Sequence, residues 1–135
     1  AQYWSDMPSA AAVGKPYSME MEGTSLSSLV GADDLGDFTT RLLKAPSSPH
    51  PVYNVGGPPK SARDLAEVVK KYIPDAKITF GTRTPPGGGR GGLPWKVSMA
   101  RSIADFGFEC MPIEKAVLIH INDARTEAGL QPIKG

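Results

Sequence analysis

The sequence predicts an α/β protein with a small mixed sheet and about four to five helices. Three observations support this class. Residues 51–80 combine two β-forming runs with a helix-periodic segment between them, apolar residues recur at helical spacing in several other segments, and short alternating runs lie between those segments. Strands that alternate with helices along a chain favour a sheet covered by helices. We therefore expect one layered α/β domain.

Residues 51–80 predict two strands and the turn that ends the first of them. Residues 52–55 (V-Y-N-V) are rich in β-forming side chains, and the G-G-P-P run that follows cannot extend a strand ladder. Residues 77–80 alternate between polar and apolar side chains, as a half-buried strand does.

The segment between these two runs has the signals of a helix with defined ends. Ser61 suits the N-cap, because Asp64 three residues later can complete a capping box, and Pro74 ends the helix. The predicted buried face recurs at helical spacing and consists of Leu65, Val68, Val69, Tyr72 and Ile73.

The N-terminal part of the chain predicts a helix, a pair of strands and a second helix. Residues 1–14 can form the first helix, and residues 15–21 and 26–30 predict strands paired around a Glu-Gly-Thr turn. Asp33 or Asp34 is expected to cap the second helix, since carboxylates are favoured near a helix N-terminus. The buried face of that helix is predicted to hold Leu35, Phe38, Thr39, Leu42 and Leu43.

Two further helices are predicted in the C-terminal part of the chain. Ser98 suits the N-cap of the first, and Gly107 suits its exit. Pro112 opens the last helix, which is expected to end at Gly129. Its apolar face is predicted to contain Ile113, Ala116, Val117, His120, Ile121, Ala124 and Ala128.

Composition limits the classes of function that the chain can have. Its 135 residues are predicted to form a single domain, 1–135, without room for a cofactor domain and a substrate domain together. A formal net charge of +1 with interspersed signs gives no basic stripe, so we expect no nucleic-acid partner. No apolar run approaches the roughly 18 residues of a membrane span, so no membrane partner is expected. The single cysteine, Cys110, excludes an internal disulfide and fits a cytoplasmic protein.

Residues 81–92 are predicted to form a flexible loop, because they are rich in glycine and proline. Glycines in this loop match the G-x-G-x-x-G pattern of dinucleotide sites. No strand directly precedes the pattern and Pro94 follows it, so we expect no cofactor on this chain. Arg90 is a different case, since a guanidinium in such a loop can hold a phosphate through two hydrogen bonds; the alternative is an arginine that is only solvated.

Most other polar residues have plain structural explanations. Cys110 has no base paired with it in the sequence, so a small buried hydrophobic residue is its ordinary explanation. His120 lies on the apolar face of the last helix without a second ligating residue at metal-site spacing, which favours a core histidine over a metal ligand. We therefore predict no catalytic residue and no metal site on this chain.

Two aromatic residues are candidates for contact with a ligand. Trp95 follows the glycine-rich loop and Tyr3 lies at the start of the chain, and either ring can cover a flat ligand. Packing within the core is the alternative for both. Together with Arg90, these residues form the predicted substrate-binding set.

Several motifs occur in a defined order along nearly the whole chain. They are L-V-G-A-D-D-L-G-D-F at 29–38, V-Y-N-V-G-G at 52–57, K-K-Y-I-P at 70–74, S-M-A-R-S-I-A-D-F-G-F at 98–108 and P-I-E-K-A-V at 112–117. In this order they resemble the C-terminal part of the extended short-chain dehydrogenases, the NAD-dependent epimerase/dehydratase family.

The resemblance implies both a fold and a role. In these NAD(P)-dependent epimerases, dehydratases and reductases, which often act on nucleotide sugars, this part follows the cofactor-binding Rossmann half and supplies the substrate-binding lobe. It therefore implies a small-molecule substrate such as a nucleotide sugar, with NAD or NADP bound by a Rossmann half that is absent from these residues.

The chain departs from the family pattern at the residues that carry the chemistry. The family's catalytic tyrosine is followed four positions later by a lysine. In this chain Tyr3, Tyr17, Tyr53 and Tyr72 are followed at that offset by Met7, Met21, Gly57 and Ala76. Ser27 stands where many nucleotide-sugar enzymes have an arginine that meets the diphosphate, which argues against such a substrate. Arg90 resembles a second family arginine, in a loop before the penultimate helix.

Two hypotheses of function follow from these observations. In the first, the chain is the substrate-binding portion of an NAD(P)-dependent epimerase, dehydratase or reductase and does not transfer hydride by itself. In the second, it is a stand-alone module that binds a small ligand or takes part in assembly. A lobe that lies against a cofactor domain exposes apolar surface when alone, so we expect a homo-oligomer that makes contact through residues 1–14 and the last helix.

Overall fold

The computed structural model describes residues 3–84 and 95–135. Five helices and four short strands occur in these residues, in the order α1 (Tyr3–Ala12), β1 (Tyr17–Met21), β2 (Ser27–Ser28), α2 (Ala32–Lys44), β3 (Pro59–Lys60), α3 (Ala62–Tyr72), β4 (Ile78–Arg83), α4 (Ala100–Phe106) and α5 (Ile113–Glu127). The predicted class, an α/β protein with about five helices and little sheet, is confirmed.

The strands pair differently from the prediction. β1 pairs in parallel with β4, with Tyr17 opposite Ile78, whereas β2 pairs antiparallel with β3, with Ser27 opposite Lys60. The turn between β1 and β2 explains why they do not pair with each other. Gly23 has a φ of +79°, and its carbonyl oxygen accepts a hydrogen bond from the Arg63 N–H at 3.1 Å, which directs the chain towards α3.

Strand β4 extends into the segment that was predicted to be a loop. Residues 81–83 belong to the strand, because Gly81 allows the backbone of β1 to come close: a Cβ at Gly81 would lie 2.1 Å from the Glu20 carbonyl oxygen. The pairing register shifts at the same place, between Met19 and Met21. Thr84 follows the strand. The remaining residues of the predicted loop, 85–92, lie outside the described part of the chain.

Helices α1, α3 and α5 pack against one another and enclose the helical core. Met7, Val69 and Ile121, one from each helix, have no exposed surface, and Leu65 is only 1% exposed. The predicted faces of α3 and α5 are confirmed in their central turns, since Leu65, Val68 and Val69 of α3 and Val117 and Ile121 of α5 are buried. Burial of aliphatic side chains on facing helical stripes is the main source of stability in such a region.

The predicted capping box at the start of α3 is present. The Asp64 N–H donates to the Ser61 hydroxyl oxygen at 3.1 Å, and the Ser61 N–H donates to the Asp64 carboxylate at 2.7 Å. These hydrogen bonds from the Ser61 backbone and hydroxyl lower the pKa of Asp64. Two backbone donors at the helix N-terminus are therefore satisfied.

Helix α2 differs from its prediction in both its cap and its buried face. Its N-cap is Gly31, without a side-chain cap, and Asp34 points into the protein instead. Of the predicted face only Phe38 is fully buried, while Leu43 is 82% exposed. The helix therefore contacts the rest of the described chain along a narrow stripe. This stripe is narrower than the apolar face that the helical periodicity predicts.

Residues 52–55 form no strand, and the reason is a second packing centre. Phe38, Tyr53, Phe106 and Phe108 form an aromatic cluster in which the Phe38 ring centroid lies 5.8, 5.7 and 5.0 Å from the other three, respectively. Such tilted and edge-to-face pairs add to the stabilisation from burial. The segment is thus held by its side chains rather than by a ladder of backbone hydrogen bonds.

The ends of α4 agree only in part with the prediction. Gly107 ends the helix in the left-handed conformation at a φ of +58°, as predicted. The N-cap is Met99, one residue beyond Ser98, and the Ser98 hydroxyl lies 3.4 Å from the Ala100 nitrogen.

Contact between copies was predicted through residues 1–14 and the last helix, but the apolar faces of α1 and α5 are used inside the chain. In the described residues, the large apolar side chains with substantial exposure lie on neither of these helices. They are Leu26, Val30, Leu35, Leu43, Val52, Trp95, Ile103 and Leu130. No helix in residues 3–84 or 95–135 is both long enough and apolar enough to span a membrane.

Candidate functional site

A cavity of about 560 Å³ lies where the first turns of α1 and α5 face the connection from β2 to α2. We call it the helix-junction cavity. Its apolar walls are formed by Trp4, Pro8, Leu29, Val30, Leu65, Met111, Pro112, Ile113 and Val117. Cavities that bind small molecules have volumes of about 300–1,000 Å³, with mostly apolar walls and a few polar groups. The helix-junction cavity has these properties.

Asp34 is a buried carboxylate on the wall of this cavity. It is 6% exposed, and its two oxygens accept hydrogen bonds from the Met111 N–H at 3.2 and 3.1 Å. A buried carboxylate needs such partners to offset its desolvation. The pair therefore anchors the connection between α4 and α5 to the first turn of α2.

His120 joins the two helices that form the floor of the cavity. Its Nε2 atom lies 2.8 Å from the Ser9 hydroxyl oxygen and 3.1 Å from the Ser5 carbonyl oxygen, so the ring connects α5 to α1. The predicted structural role is therefore present, but the ring is only half-buried and lies at the edge of the core rather than within it. Residues 3–84 and 95–135 contain no group of three histidine, cysteine or acidic side chains placed to hold a metal ion.

Lys60 and Glu114 supply opposite charges to the cavity wall. Glu114 is engaged by Lys71 of α3, with a nitrogen–oxygen distance of 3.5 Å. The pKa of Glu114 is lowered, first by a hydrogen bond from its own backbone N–H and in addition by the charges of Lys71 and Lys60. Lys60 lies on β3, where it pairs with Ser27.

A second cavity, of about 850 Å³, lies on the other side of the Gly-Gly-Pro-Pro turn. We call it the glycine-turn cavity. It is lined by Gly56, Gly57, Pro58, Pro59, Trp95, Lys96, Val97, Ser98, Met99, Ile103, Glu109 and Cys110. Gly57, Pro58 and Cys110 border both cavities, so these three residues form a shared wall.

Gly56 and Gly57 are required by close packing against Ser28 and Leu29. The Gly57 N–H donates to the Leu29 carbonyl oxygen at 2.6 Å, and the Ser28 hydroxyl donates to the Gly57 carbonyl oxygen at 2.6 Å. A Cβ at Gly57 would lie 2.7 Å from the Leu29 oxygen, and one at Gly56 would lie 2.5 Å from the Ser28 oxygen. The V-G-G part of the sequence motif therefore positions the wall between the two cavities.

Cys110 is a neutral thiol in this shared wall. Burial raises its pKa, and the nearby Asp34 carboxylate raises it further. A thiol with a raised pKa is a poor nucleophile at neutral pH. Cys110 was predicted to be a small buried hydrophobic residue, whereas it is half-buried and lines both cavities.

The predicted substrate-binding residues lie in different places. Arg90 falls outside the described residues. Trp95 is 55% exposed and lines the glycine-turn cavity, where its ring is accessible to a ligand. Tyr3 is 5% exposed and belongs to the helical core, with its ring 4.3 Å from that of Trp4. Trp4, which the sequence argument did not select, is the aromatic residue that lines the helix-junction cavity.

A cluster of three polar residues was also missed by the sequence argument. The Asp105 carboxylate accepts a hydrogen bond from the Tyr53 hydroxyl at 2.7 Å and lies 2.7 Å from the His50 Nδ1 atom. These contacts, led by the one from Tyr53, lower the pKa of Asp105. His50 and Asp105 are 55 residues apart in the sequence, and no local pattern connects them. The cluster fixes residues 48–53 to α4.

The fold of the described residues is shared with solved structures of other proteins. This is the fold of part of the extended short-chain dehydrogenases, the NAD-dependent epimerase/dehydratase enzymes, so the fold implied by the sequence motifs is confirmed. Comparison with protein-family models gives no match, and comparison with curated proteins gives none either.

Individual solved structures show how far the similarity extends. A GalE-like L-threonine dehydrogenase from Cupriavidus necator matches 90% of this chain with a TM-score of 0.74 at 20% identity. The UDP-glucuronic acid 4-epimerase from Bacillus cereus, solved with UDP-glucuronic acid and NAD, matches 93% of it with a TM-score of 0.73 at 16% identity. The UDP-glucose 4-epimerase from Thermotoga maritima matches 90% with a TM-score of 0.71 at 14% identity. At these identities the similarity establishes the fold.

The chain spans less than half the length of these structural neighbours. It covers 45% of the threonine dehydrogenase, 40% of the UDP-glucuronic acid epimerase and 38% of the UDP-glucose epimerase. The activity of a whole enzyme therefore cannot be transferred to this chain from the similarity alone.

Proposed function

We propose that this chain is the substrate-binding portion of an NAD(P)-dependent epimerase, dehydratase or reductase. The observation that carries the proposal is a pair of ligand-sized cavities, of about 560 and 850 Å³, that share a wall within a fold that such enzymes have. The C-terminal position of the sequence motifs within that family supports the same assignment. The redox cofactor, NAD or NADP, is then bound by a Rossmann half and not by these residues.

The chemistry of the described residues supports a binding role. The carboxylates and the histidine on the helix-junction wall are engaged by other protein groups, and the shared-wall thiol is neutral. The tyrosine-lysine pair of the family does not occur in the sequence. We therefore propose that the chain selects and orients a substrate, while hydride transfer depends on groups supplied from outside it.

We further propose Arg90 and Trp95 as substrate contacts. Trp95 borders the larger of the two cavities, where a half-exposed indole ring can cover a flat ligand. Arg90 precedes Trp95 by five residues in the sequence, and a guanidinium is suited to a diphosphate or a carboxylate. For Tyr3, burial against Trp4 supports a role behind the cavity wall rather than at its surface.

The experiment is a thermal-shift screen of the purified chain with UDP-glucose, UDP-glucuronic acid and L-threonine, each with and without NAD⁺. A ligand present at about one hundred times its Kd stabilises a protein by about 2.7 kcal/mol, which raises the Tm by several degrees. We expect such a shift for at least one of the three compounds and a smaller one in Arg90→Ala. The matched control is Arg101→Ala, an exposed arginine on α4 outside both cavities.

Two results would contradict the proposal. One is the absence of any shift with all three compounds at millimolar concentration. The other is turnover: if the chain alone reduced NAD⁺ in the presence of UDP-glucose or L-threonine, a catalytic site would have to exist within it. Absorbance at the wavelength specific to the reduced nicotinamide measures this directly.

We also propose that the chain self-associates in solution. Leu43, Val52 and Trp95 expose much of their apolar surface, and such surface favours contacts between copies. Light scattering coupled to size exclusion tests this at increasing concentration, and a monomer throughout the range would refute it.

A further inference from the structure

Lys60 contributes a positively charged side chain to the wall of the helix-junction cavity. The Lys60 side chain makes no hydrogen bond or ion pair with residues 3–84 or 95–135. Its position on β3 directs it to this cavity: Pro59 lines the glycine-turn cavity and Lys60 the helix-junction cavity, as expected for consecutive strand residues that face opposite sides.

The other charged groups near Lys60 are already engaged. The Asp34 oxygens accept from the Met111 N–H. Glu114 pairs with Lys71, and Asp64 accepts from Ser61 in the capping box. The carboxylates around Lys60 are thus held at their own sites, beyond ion-pair distance of its ammonium group.

The field of Lys60 nevertheless reaches across the cavity wall. Its charge contributes to the lowered pKa values of both Glu114 and Asp64, so a positive potential extends over this side of the cavity. Lys60 is also only half-buried, and an ammonium group beside an apolar cavity attracts an anion more strongly than one in open solvent.

We propose that Lys60 binds the anionic group, a phosphate or a carboxylate, of a ligand whose remaining atoms occupy the helix-junction cavity. This inference rests on the proposed binding function and specifies the ligand class for that site. Trp4 also lines this cavity and provides an aromatic surface for a ring of the ligand. The ligand is therefore an anion with an apolar or ring-shaped portion.

The two tryptophans allow each cavity to be observed separately. The chain has two tryptophans, Trp4 in the helix-junction cavity and Trp95 in the glycine-turn cavity. In a Trp95→Phe background, the indole emission reports on Trp4 alone. Titration of this variant with UDP and with uridine compares a charged ligand with its uncharged counterpart.

Substitution of Lys60 tests the contribution of its charge. Adding Lys60→Met to this background is expected to weaken UDP binding about tenfold or more, because a hydrogen bond to a charged group is lost, while uridine binding stays unchanged. Lys60→Arg keeps the charge and is expected to retain UDP binding within a few-fold. Lys44→Met is the matched control: it removes an exposed lysine of α2 that lines neither cavity. Circular dichroism melting confirms that each variant is folded.

A second pair of probes separates this inference from the proposed function. Phenyl phosphate and benzoate carry the anionic group and a ring without any nucleotide. A Lys60-dependent response to either of them, with no response to UDP or the UDP sugars, would support the anion site and contradict a nucleotide-sugar substrate. A UDP affinity that Lys60→Met leaves unchanged would overturn the inference and leave the proposed function standing. No Trp4 response to any of these probes would overturn the inference as well.

Discussion

The helical core and the aromatic cluster both bury apolar surface, but they do so through different kinds of contact. In the helical core, aliphatic side chains from α1, α3 and α5 are buried along regular helical stripes. In the aromatic cluster, Phe38, Tyr53, Phe106 and Phe108 meet from distant parts of the chain. Tyr53 there also donates to Asp105, so a polar network is part of the packing. The helical core depends on apolar volume, whereas the cluster depends in addition on the direction of individual contacts.

The largest expected effect is a cavity in the helical core. Leu65→Ala removes a side chain that is 1% exposed, and we expect the free energy of unfolding to fall by about 3 kcal/mol. Leu43→Ala is the matched control, because Leu43 is exposed on α2 and its truncation should change the free energy by less than about 0.5 kcal/mol. Urea denaturation followed by circular dichroism measures both. Equal losses in the two variants would mean that the helical core is wrongly assigned.

The next effect tests the wall between the two cavities. Gly57→Ala places a Cβ 2.7 Å from the Leu29 carbonyl oxygen, and relieving this contact should cost about 1–3 kcal/mol. Gly36→Ala, in the exposed middle of α2 with open space around it, should instead stabilise by about 0.5–1 kcal/mol. Opposite signs for the same substitution would confirm that close backbone approach explains Gly57. If Gly57→Ala does not change the free energy of unfolding, the wall can shift to accommodate the added Cβ without loss of stability.

A smaller effect is expected from the cap of α3. Ser61→Ala removes the hydroxyl that accepts from the Asp64 N–H, which should destabilise the protein by about 1 kcal/mol. Ser47→Ala, in an exposed loop, is the control and should have almost no effect. The two thermal melts can be compared directly, and a Tm for Ser61→Ala equal to that of the wild type would argue against the capping box.

The smallest expected loss of stability concerns the polar contact of Tyr53 in the aromatic cluster. Tyr53→Phe keeps the ring and removes only the hydroxyl, so at neutral pH we expect a smaller loss of stability than for Ser61→Ala. The same substitution should raise the pKa of Asp105 towards its ordinary value of 3.8, because the Tyr53 hydrogen bond is the first cause of the lowering.

This difference has a defined dependence on pH. A carboxyl group with a lowered pKa in the folded state stabilises the protein above its unfolded value and loses that contribution as pH falls through the lowered value. The stability gap between wild type and Tyr53→Phe should therefore narrow as the pH drops below about 3.8. Urea midpoints of both proteins across the acid range measure this. If the stability difference between the two proteins does not change with pH, the contribution of the Tyr53 hydroxyl does not depend on the ionisation of Asp105.

The features that the sequence predicted well are local ones. The capping box needs only Ser61 and Asp64, three positions apart, and the buried face of α3 needs only a repeat of apolar residues. The exit at Gly107 depends on a single residue that tolerates a positive φ. Each of these follows from neighbours along the chain, so a pattern in the sequence is sufficient to predict it.

The features that were missed depend on contacts between distant residues. The partner of β1 is β4 rather than β2, and the hydrogen-bond partner of His50 is Asp105. Asp34 was expected to cap α2, yet it accepts from Met111, 77 residues away. Trp4 became a wall of the candidate site only because α5 packs beside α1. Tertiary packing decides these features, and no local spacing encodes them.

We propose that this chain binds a substrate and that another part of an enzyme binds the nicotinamide cofactor. Isothermal titration calorimetry of the purified chain tests it most directly, with UDP-glucose, UDP-glucuronic acid and L-threonine titrated in parallel with NAD⁺ and NADP⁺. We expect saturable binding of at least one of the three substrates and no binding of either dinucleotide. Tight binding of NAD⁺ or NADP⁺ without any substrate binding would contradict it.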